Sequence, residues 1–165
     1  KSENAEPGGA DHERALVARG REDAPTIGAY IDHHALRPDQ ALVSDARRTR
    51  ETWEWLVTAL SAPPPVSYVA ALYNAGAKTI MDTIKQSART TRTLLIIGHN
   101  PGLQDVGRIL IASGDVAARE RLNEGLPTSG LLVIDFVGDD WQRLHPRSGR
   151  LEHFITPRSL RSVAD

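Results

Sequence analysis

A chain of 165 residues with a net charge of −1, 40% of them hydrophobic and 25% charged, has the length of one domain (1–165) and the composition of an ordinary globule. No apolar run reaches the roughly 18 residues of a membrane span, and the near-neutral charge argues against duplex nucleic acid as a partner, so any anion site must be local. The absence of cysteine excludes disulfides, thiolate chemistry and cysteine-ligated zinc, and is compatible with a cytoplasmic setting.

The opening KSENAEPGGADHERAL is polar, rich in turn formers and aperiodic, which predicts a surface loop with room for a site. Ala24, Ile27, Ile31 and Ala35 recur at three- and four-residue spacing and predict a helix over 20–35 whose first turns tolerate Pro25. Residues 41–43 form a short apolar strand, and Ser44 or Asp45 caps a helix with Thr49, Trp53, Leu56, Val57 and Leu60 as its buried stripe. The prolines of SAPPPV then force a break.

A strand over 66–72 and a helix over 77–88, with Ile80, Met81 and Ile84 inward, come next. Residues 93–97 lack polar alternation and read as a strand covered on both faces. Leu103, Val106, Ile109, Leu110 and Ala112 continue as a helix, and the charged middle of SGDVAARERLNEGLPTSG has a helical reading. Residues 131–136 are a strand whose hairpin partner begins at 141–144. Strands alternating with helices predict an α/β fold in three layers, a mainly parallel sheet with helices on both faces and one or two antiparallel strands.

Polar groups collect at two strand ends. In LVSDARRTRET a strand runs into a helix whose opening turn carries Arg47, Arg48 and Arg50. Each reads plainly as a solvated surface arginine, yet an arginine in a first helical turn opposes the macrodipole and suggests that an anion joins it. In TLLIIGHNPGL, His99 follows a strand's carboxyl end, where ligands bind in open α/β sheets, and Pro101 suits the first turn of the next helix. His99 is either a capping or core histidine or a phosphate contact. Arg14 of DHERAL adds a third basic group on the opening loop. A guanidinium fork beside an imidazole suits phosphoryl recognition.

These segments carry a resemblance. DHERALVARGREDA resembles the D-x-x-R-P-L-x-x-x-G-x-x-x-A loop of the histidine phosphatase superfamily (phosphoglycerate mutase-like), in its small phosphohistidine phosphatase, SixA-like, branch. LVSDARRTRET is similar to its S-x-x-x-R-x-x-x-T segment, ALYNA to L-Y-x-A, IIGHNPGL to G-H-N-P-x-L and LPTSGLLVIDF to its P-T-x-(small)-apolar strand, in the family's order over nearly the whole chain. The resemblance assigns catalytic and phosphate-binding roles to Arg14, Arg48 and His99. Arg48 is chosen over Arg47 because it lies four residues after Ser44 and four before Thr52, leaving Arg47 and Arg50 solvated. It also implies a first strand ending in R-H-G or R-H-A upstream of Lys1, since KSEN resembles the family's residues just after that motif. Ala15 departs from the usual proline, and ALYNAGAK lacks the glutamate of mutase and acid phosphatase relatives.

The implied chemistry is hydrolysis of phosphohistidine or another small phosphorylated substrate through a covalent phosphohistidine, with no metal or organic cofactor. The implied partner is a phosphorylated small molecule or a phosphohistidine-containing protein. With the family's acid missing, a phosphoramidate is favoured over an alkyl ester; Glu3, Asp11, Glu13 and Asp45 are the carboxylates available as a substitute, though loop carboxylates are normally just solvated. Two rivals share the fold: a phosphate-binding or regulatory module without turnover, and a sugar-phosphate phosphatase. A metal site at His33 and His34 with His12 is disfavoured, because adjacent histidines diverge on a helix. His145 and His153 read as solvent-facing, and PRSGR and TPRSLR have too few aromatics to stack single-stranded nucleic acid.

Overall fold

The computed structural model describes residues 10–163. They fall into two compact units, one running up to Tyr73 and including Thr91–Gly98, the other made of Asn74–Thr90 and the chain from His99 onward.

The first unit opens with a 3-10 turn, Asp11–Glu13, and continues through α1 (Ala18–His33), β1 (Gln40–Ser44), α2 (Arg47–Val57), β2 (Val66–Val69), a second 3-10 turn (Ala70–Leu72) and β3 (Leu94–Ile97). Its sheet has the order β2-β1-β3, all parallel, with Ala41 opposite both Val66 and Leu95. The central strand is the most buried, and Ala41 and Val43 are fully enclosed. Ala24, Ile27 and Ile31 of α1 and Trp53 and Leu56 of α2 are buried with it. The two helices approach so closely that a Cβ on Gly28 would overlap the carbonyl oxygen of Leu56, which is why that turn of α1 lacks a side chain.

The second unit contains α3 (Ala77–Lys85), α4 (Gly102–Leu110), β4 (Ile111–Gly114), α5 (Val116–Glu124), β5 (Leu131–Phe136), a 3-10 turn (Trp141–Arg143), β6 (Gly149–Ile155) and α6 (Pro157–Arg161). Here β6 is central, parallel to β4 and antiparallel to β5. Ile111, Ala118, Leu122, Leu126, Leu151 and Phe154 form a buried cluster beneath it. Asp115 caps α5 by accepting from the Ala118 amide at 2.8 Å, and Thr156 and Ser159 form a capping box on α6.

The class is α/β, with a parallel three-stranded sheet, a mixed one and, among the described residues, six α-helices. Several details depart from the sequence reading. β4 occupies residues expected to prolong α4, and Trp141–Arg143 form a 3-10 turn where the sequence predicts a strand over 141–144, the partner of β5 being β6. The strand over 66–72 ends at Val69, and α2 begins after Ala46 with no side-chain cap from Ser44 or Asp45. β3 is half-buried along its length, and His153 is half-buried in β6 where the sequence suggests solvent exposure.

Candidate functional site

The first unit gathers its charge where β1 hands over to α2. Ser44 is fully buried at the strand's end, and Thr49 Oγ1 donates to the carbonyls of Ser44 and Ala46 at 2.8 and 2.9 Å, fixing the helix's start. Consecutive residues of a helix point about 100° apart, so Arg47 and Arg48 diverge. Arg47 lies along the helix surface and donates to Glu51 at 2.7 Å. Arg48 turns inward, 14% exposed, toward the opening loop.

There it meets Asp11. Arg48 Nη1 donates to the Asp11 main-chain carbonyl at 2.9 Å, and its Nη2 lies 3.3 Å from Asp11 Oδ2. Arg14 Nη2 lies 2.5 Å from Asp11 Oδ1, and the Tyr73 hydroxyl donates to Oδ2. One carboxylate thus holds donors from the opening loop, the first turn of α2 and the segment after β2. The Tyr73 hydrogen bond, then Arg48 and Arg14, lowers the Asp11 pKa below its ordinary value against an opposing desolvation. The Arg48 guanidinium also sits 5.8 Å from the centre of the Tyr73 ring.

His12 forms a second layer. Its Nε2 lies 2.8 Å from Asp45 Oδ1 and its Nδ1 2.9 Å from Glu13 Oε1, and its ring meets Tyr73 edge-on at 4.9 Å. Carboxylates only accept, so both contacts are satisfied together by the imidazolium, whose two nitrogens are donors. The Asp45 and Glu13 hydrogen bonds accordingly raise the His12 pKa. Glu51 joins the loop to α2 by accepting from the Leu16 amide at 2.8 Å, and Arg50 lies 3.9 Å from Glu13.

The structure therefore brings Arg14 and Arg48 onto one carboxylate. Arg47 and Arg50 stay at the surface, their side chains 50% and 41% exposed, beside Glu51 and Glu13. His99 belongs to the second unit, half-buried in the turn before α4, where its carbonyl accepts from the Leu103 amide at 3.0 Å. Pro101 stands just before α4 rather than in its first turn, after a cis peptide bond from Asn100. Of the four carboxylates weighed as acids, Asp11, Glu13 and Asp45 are all engaged with cations, and Glu3 lies outside the described residues. His33 and His34 are exposed at the end of α1, and no metal-binding group of three or more His, Cys, Asp or Glu side chains is found among the described residues. Nor is any of their helices long and apolar enough to cross a membrane. Sequence reasoning assigns Tyr73 no role and treats His12 only as a metal candidate; the ALYNA match is the one signal that points to Tyr73.

No family profile matches the chain. Among curated proteins it is 33% identical to the uncharacterised protein Rv1276c of Mycobacterium tuberculosis, over 95% of this chain and 98% of that one. It is 34% identical to the uncharacterised protein ML1117 of Mycobacterium leprae over 90% of each. Among solved structures it is similar to a candidate phosphohistidine phosphatase SixA from Agrobacterium tumefaciens, with TM-score 0.77 and 28% identity over 95% of this chain and 93% of that chain. It also resembles the protein histidine phosphatase SixA complexed with tungstate, with TM-score 0.72 and 16% identity over 96% and 94% of the two chains, a likeness of fold. The chain belongs to one family with the mycobacterial proteins and carries the fold of the SixA phosphohistidine phosphatases.

Proposed function

We propose that the protein is a phosphatase that hydrolyses phosphohistidine or another small phosphorylated substrate through a covalent phosphohistidine. Arg14, Arg48 and His99 act on the phosphoryl oxygens. The observation that carries this reading is the convergence of Arg14 and Arg48 on a single anionic group, the Asp11 carboxylate. Two guanidinium groups fixed around one anion suit a transferring phosphoryl group, whose charge spreads over its peripheral oxygens. His99 receives its role from the G-H-N-P match alone.

In the proposed reaction a nitrogen of the nucleophilic histidine that the family resemblance implies bonds to phosphorus as the bond to the leaving group breaks. Water then attacks phosphorus and the histidine leaves, yielding inorganic phosphate. Expelling an alkoxide at neutral pH needs a positioned acid, yet Asp11 and Glu13 are tied to cations that favour their ionised forms, and Asp45 is engaged by His12. That supports a phosphoramidate over an alkyl phosphate, and a phosphohistidine-containing molecule as substrate.

The test is turnover of a phosphoramidate, an aryl phosphate and a sugar phosphate by the full-length protein. The first two should be hydrolysed much faster than the third. Arg48→Ala should lower turnover by roughly two to three orders of magnitude, as losing one preorganised donor does. Arg47→Ala should be nearly silent. Faster hydrolysis of the sugar phosphate would move the protein to the sugar-phosphate class, with the His12 imidazolium as proton source. Binding without turnover by the complete protein would make it a regulatory module.

A further inference from the structure

We propose that Glu51 and His12 are positioning residues for the Arg14–Arg48 clamp: they fasten the loop that bears Arg14 to the turn and helix that bear Arg48, one on each side of the two arginines. The proposal rests on the phosphoryl reading of that clamp and deepens it, by saying what holds its two cations at a fixed spacing.

The fastenings are symmetric in sequence. His12 and Leu16 stand two residues before and after Arg14, and Asp45 and Glu51 stand three residues before and after Arg48. His12 Nε2 meets Asp45 Oδ1 at 2.8 Å, and the Leu16 amide donates to Glu51 Oε2 at 2.8 Å. Two guanidinium groups repel one another and each ends a long flexible side chain, so a clamp that is ready for an anion needs its two backbones held in register.

Leu16 is a firm point for Glu51 to hold. It is buried against Gly20 of α1, where a Cβ would overlap its side chain, and its carbonyl accepts from Arg21 Nη1 at 2.6 Å. Glu51, three residues after Arg48, lies on the same side of α2 as that arginine. Its two oxygens divide the work: Oε2 takes the Leu16 amide, and Oε1 takes Arg47 Nε at 2.7 Å. An amide needs an acceptor within hydrogen-bond reach and not a full charge, so the length of the Glu51 side chain matters more to this link than its ionisation.

The other link depends on a proton. The groups facing His12 are Asp45 from the β1–α2 turn, Glu13 from its own turn, with Arg50 3.9 Å from that carboxylate, and the Tyr73 ring from the segment after β2. The imidazolium donates to both carboxylates, whereas a neutral ring has one N–H and keeps only one of them. The Asp45 link is therefore strongest while the ring is charged and slackens as it loses its proton. The two carboxylates hold the proton to a higher pH than an ordinary histidine would.

The experiment is calorimetric titration of the full-length protein with inorganic phosphate, at a temperature where circular dichroism shows every variant folded, in the wild type, Glu51→Gln, Glu51→Asp, Arg47→Ala, His12→Gln and Arg48→Ala. Glu51→Gln keeps the reach and an acceptor oxygen but loses the charge, and should bind phosphate about as the wild type does. Glu51→Asp keeps the charge but falls one methylene short, and should bind roughly tenfold more weakly, the scale on which a misplaced clamp is felt. A charge effect gives the reverse order and would overturn the proposal, as would equal affinities of all three or a lowered thermal midpoint with phosphate affinity unmoved. Arg47→Ala should bind as the wild type does; a loss as large as that of Glu51→Asp would shift the effect to the Arg47 contact and overturn the role of Glu51. Ionisation of phosphate is common to the wild type and His12→Gln, whose glutamine offers a single nitrogen, so the ratio of their affinities isolates the ring. That ratio should favour the wild type below about pH 6.5 and approach one as pH rises through the raised value. A ratio that stays constant from pH 5.5 to 8 would overturn the role of His12. If Arg48→Ala binds phosphate as the wild type does, or the wild type binds none, the phosphoryl reading fails and this proposal with it. If Arg48→Ala is weakened while Glu51→Asp is not, only this proposal fails.

Discussion

The two units keep their charges in different places. In the first, ion pairs and hydrogen bonds join residues far apart in sequence: Asp11 with Arg48 over 37 positions, His12 with Asp45 over 33, Asp11 with Tyr73 over 62. In the second, Lys78–Asp82 lies within one helix and Arg150–Glu152 within one strand, both at the surface. An ion pair between distant residues, Arg89–Asp139 over 50 positions, is exposed as well, and the unit's buried contacts are apolar, through the Ile111, Leu122, Leu151 and Phe154 cluster. Charge thus gathers several elements of one unit onto a shared cluster and in the other forms separate pairs at the surface. A network of charges spanning several elements is expensive to desolvate and adds little stability where it is exposed, so its presence calls for a use other than holding the chain together.

The largest effect should come from the apolar side of this contrast. Leu122 is 1% exposed inside the second unit's cluster, and Leu122→Ala should cost about 2–5 kcal/mol through lost burial and a residual cavity. Chemical denaturation should show a lower midpoint with an unchanged slope. Asp11→Asn should cost far less in the same measurement, since surface ion pairs contribute about 0–1 kcal/mol. Comparable losses for the two variants would erase the difference between the units.

Much of this architecture is legible in the sequence, and the failures are physical. Residues 131–136 read as a strand to the residue, because a largely apolar run with Gly130 before it and Gly138 and two aspartates closely after leaves one reading. β4 is hidden because Ile111 and Ala112 extend the apolar spacing of α4 with no breaker before Ser113 and Gly114. The partner of β5 is expected too early because Trp141 and Leu144 look strand-like, while Pro146 and the residues after it make the real turn. In the first unit, Arg14 and Arg48, which converge on Asp11, are legible through the spacing of family motifs. Tyr73 and the pairing of His12 are not, since a hydroxyl meeting a carboxylate 62 positions away leaves no periodic trace.

The charged network should reveal itself more sharply in pH dependence. His12, facing Asp45, Glu13 and the Tyr73 ring, has its pKa raised above the ordinary value of 6.5. Its contribution is therefore fully present below about pH 6.5 and lost as pH rises through the raised value. Asp11, facing Arg14, Arg48 and Tyr73, has its pKa lowered below 3.8, so its contribution is present above that value and lost as pH falls through the lowered one. Thermal midpoints of the wild type and His12→Gln should converge as pH rises above neutrality and separate, with the wild type higher, between about pH 5 and 6.5. A difference that stays constant from pH 5 to well above neutrality would mean that the imidazolium contributes nothing to the network.

The smallest effect should belong to Lys78, and its smallness is informative. Lys78 pairs with Asp82 at 2.7 Å, a distance that by itself rivals most contacts of the Asp11 cluster. Yet its side chain is 90% exposed, so water and salt screen the pair on every side. The order is the weaker one for an i,i+4 pair, with the cation nearer the helix N-terminus, where the macrodipole also disfavours it. Lys78 is the second residue of α3, and alanine there has the higher helix propensity. Lys78→Ala should consequently leave the thermal midpoint unchanged or slightly raised, and the difference from the wild type should not vary with salt. A clear loss of stability would show that surface pairs of the second unit carry structural weight after all. The long-range pairing of Asp11, Arg14 and Arg48 would then need no functional explanation, so this near-silent substitution is the control on which the reading of the first unit depends.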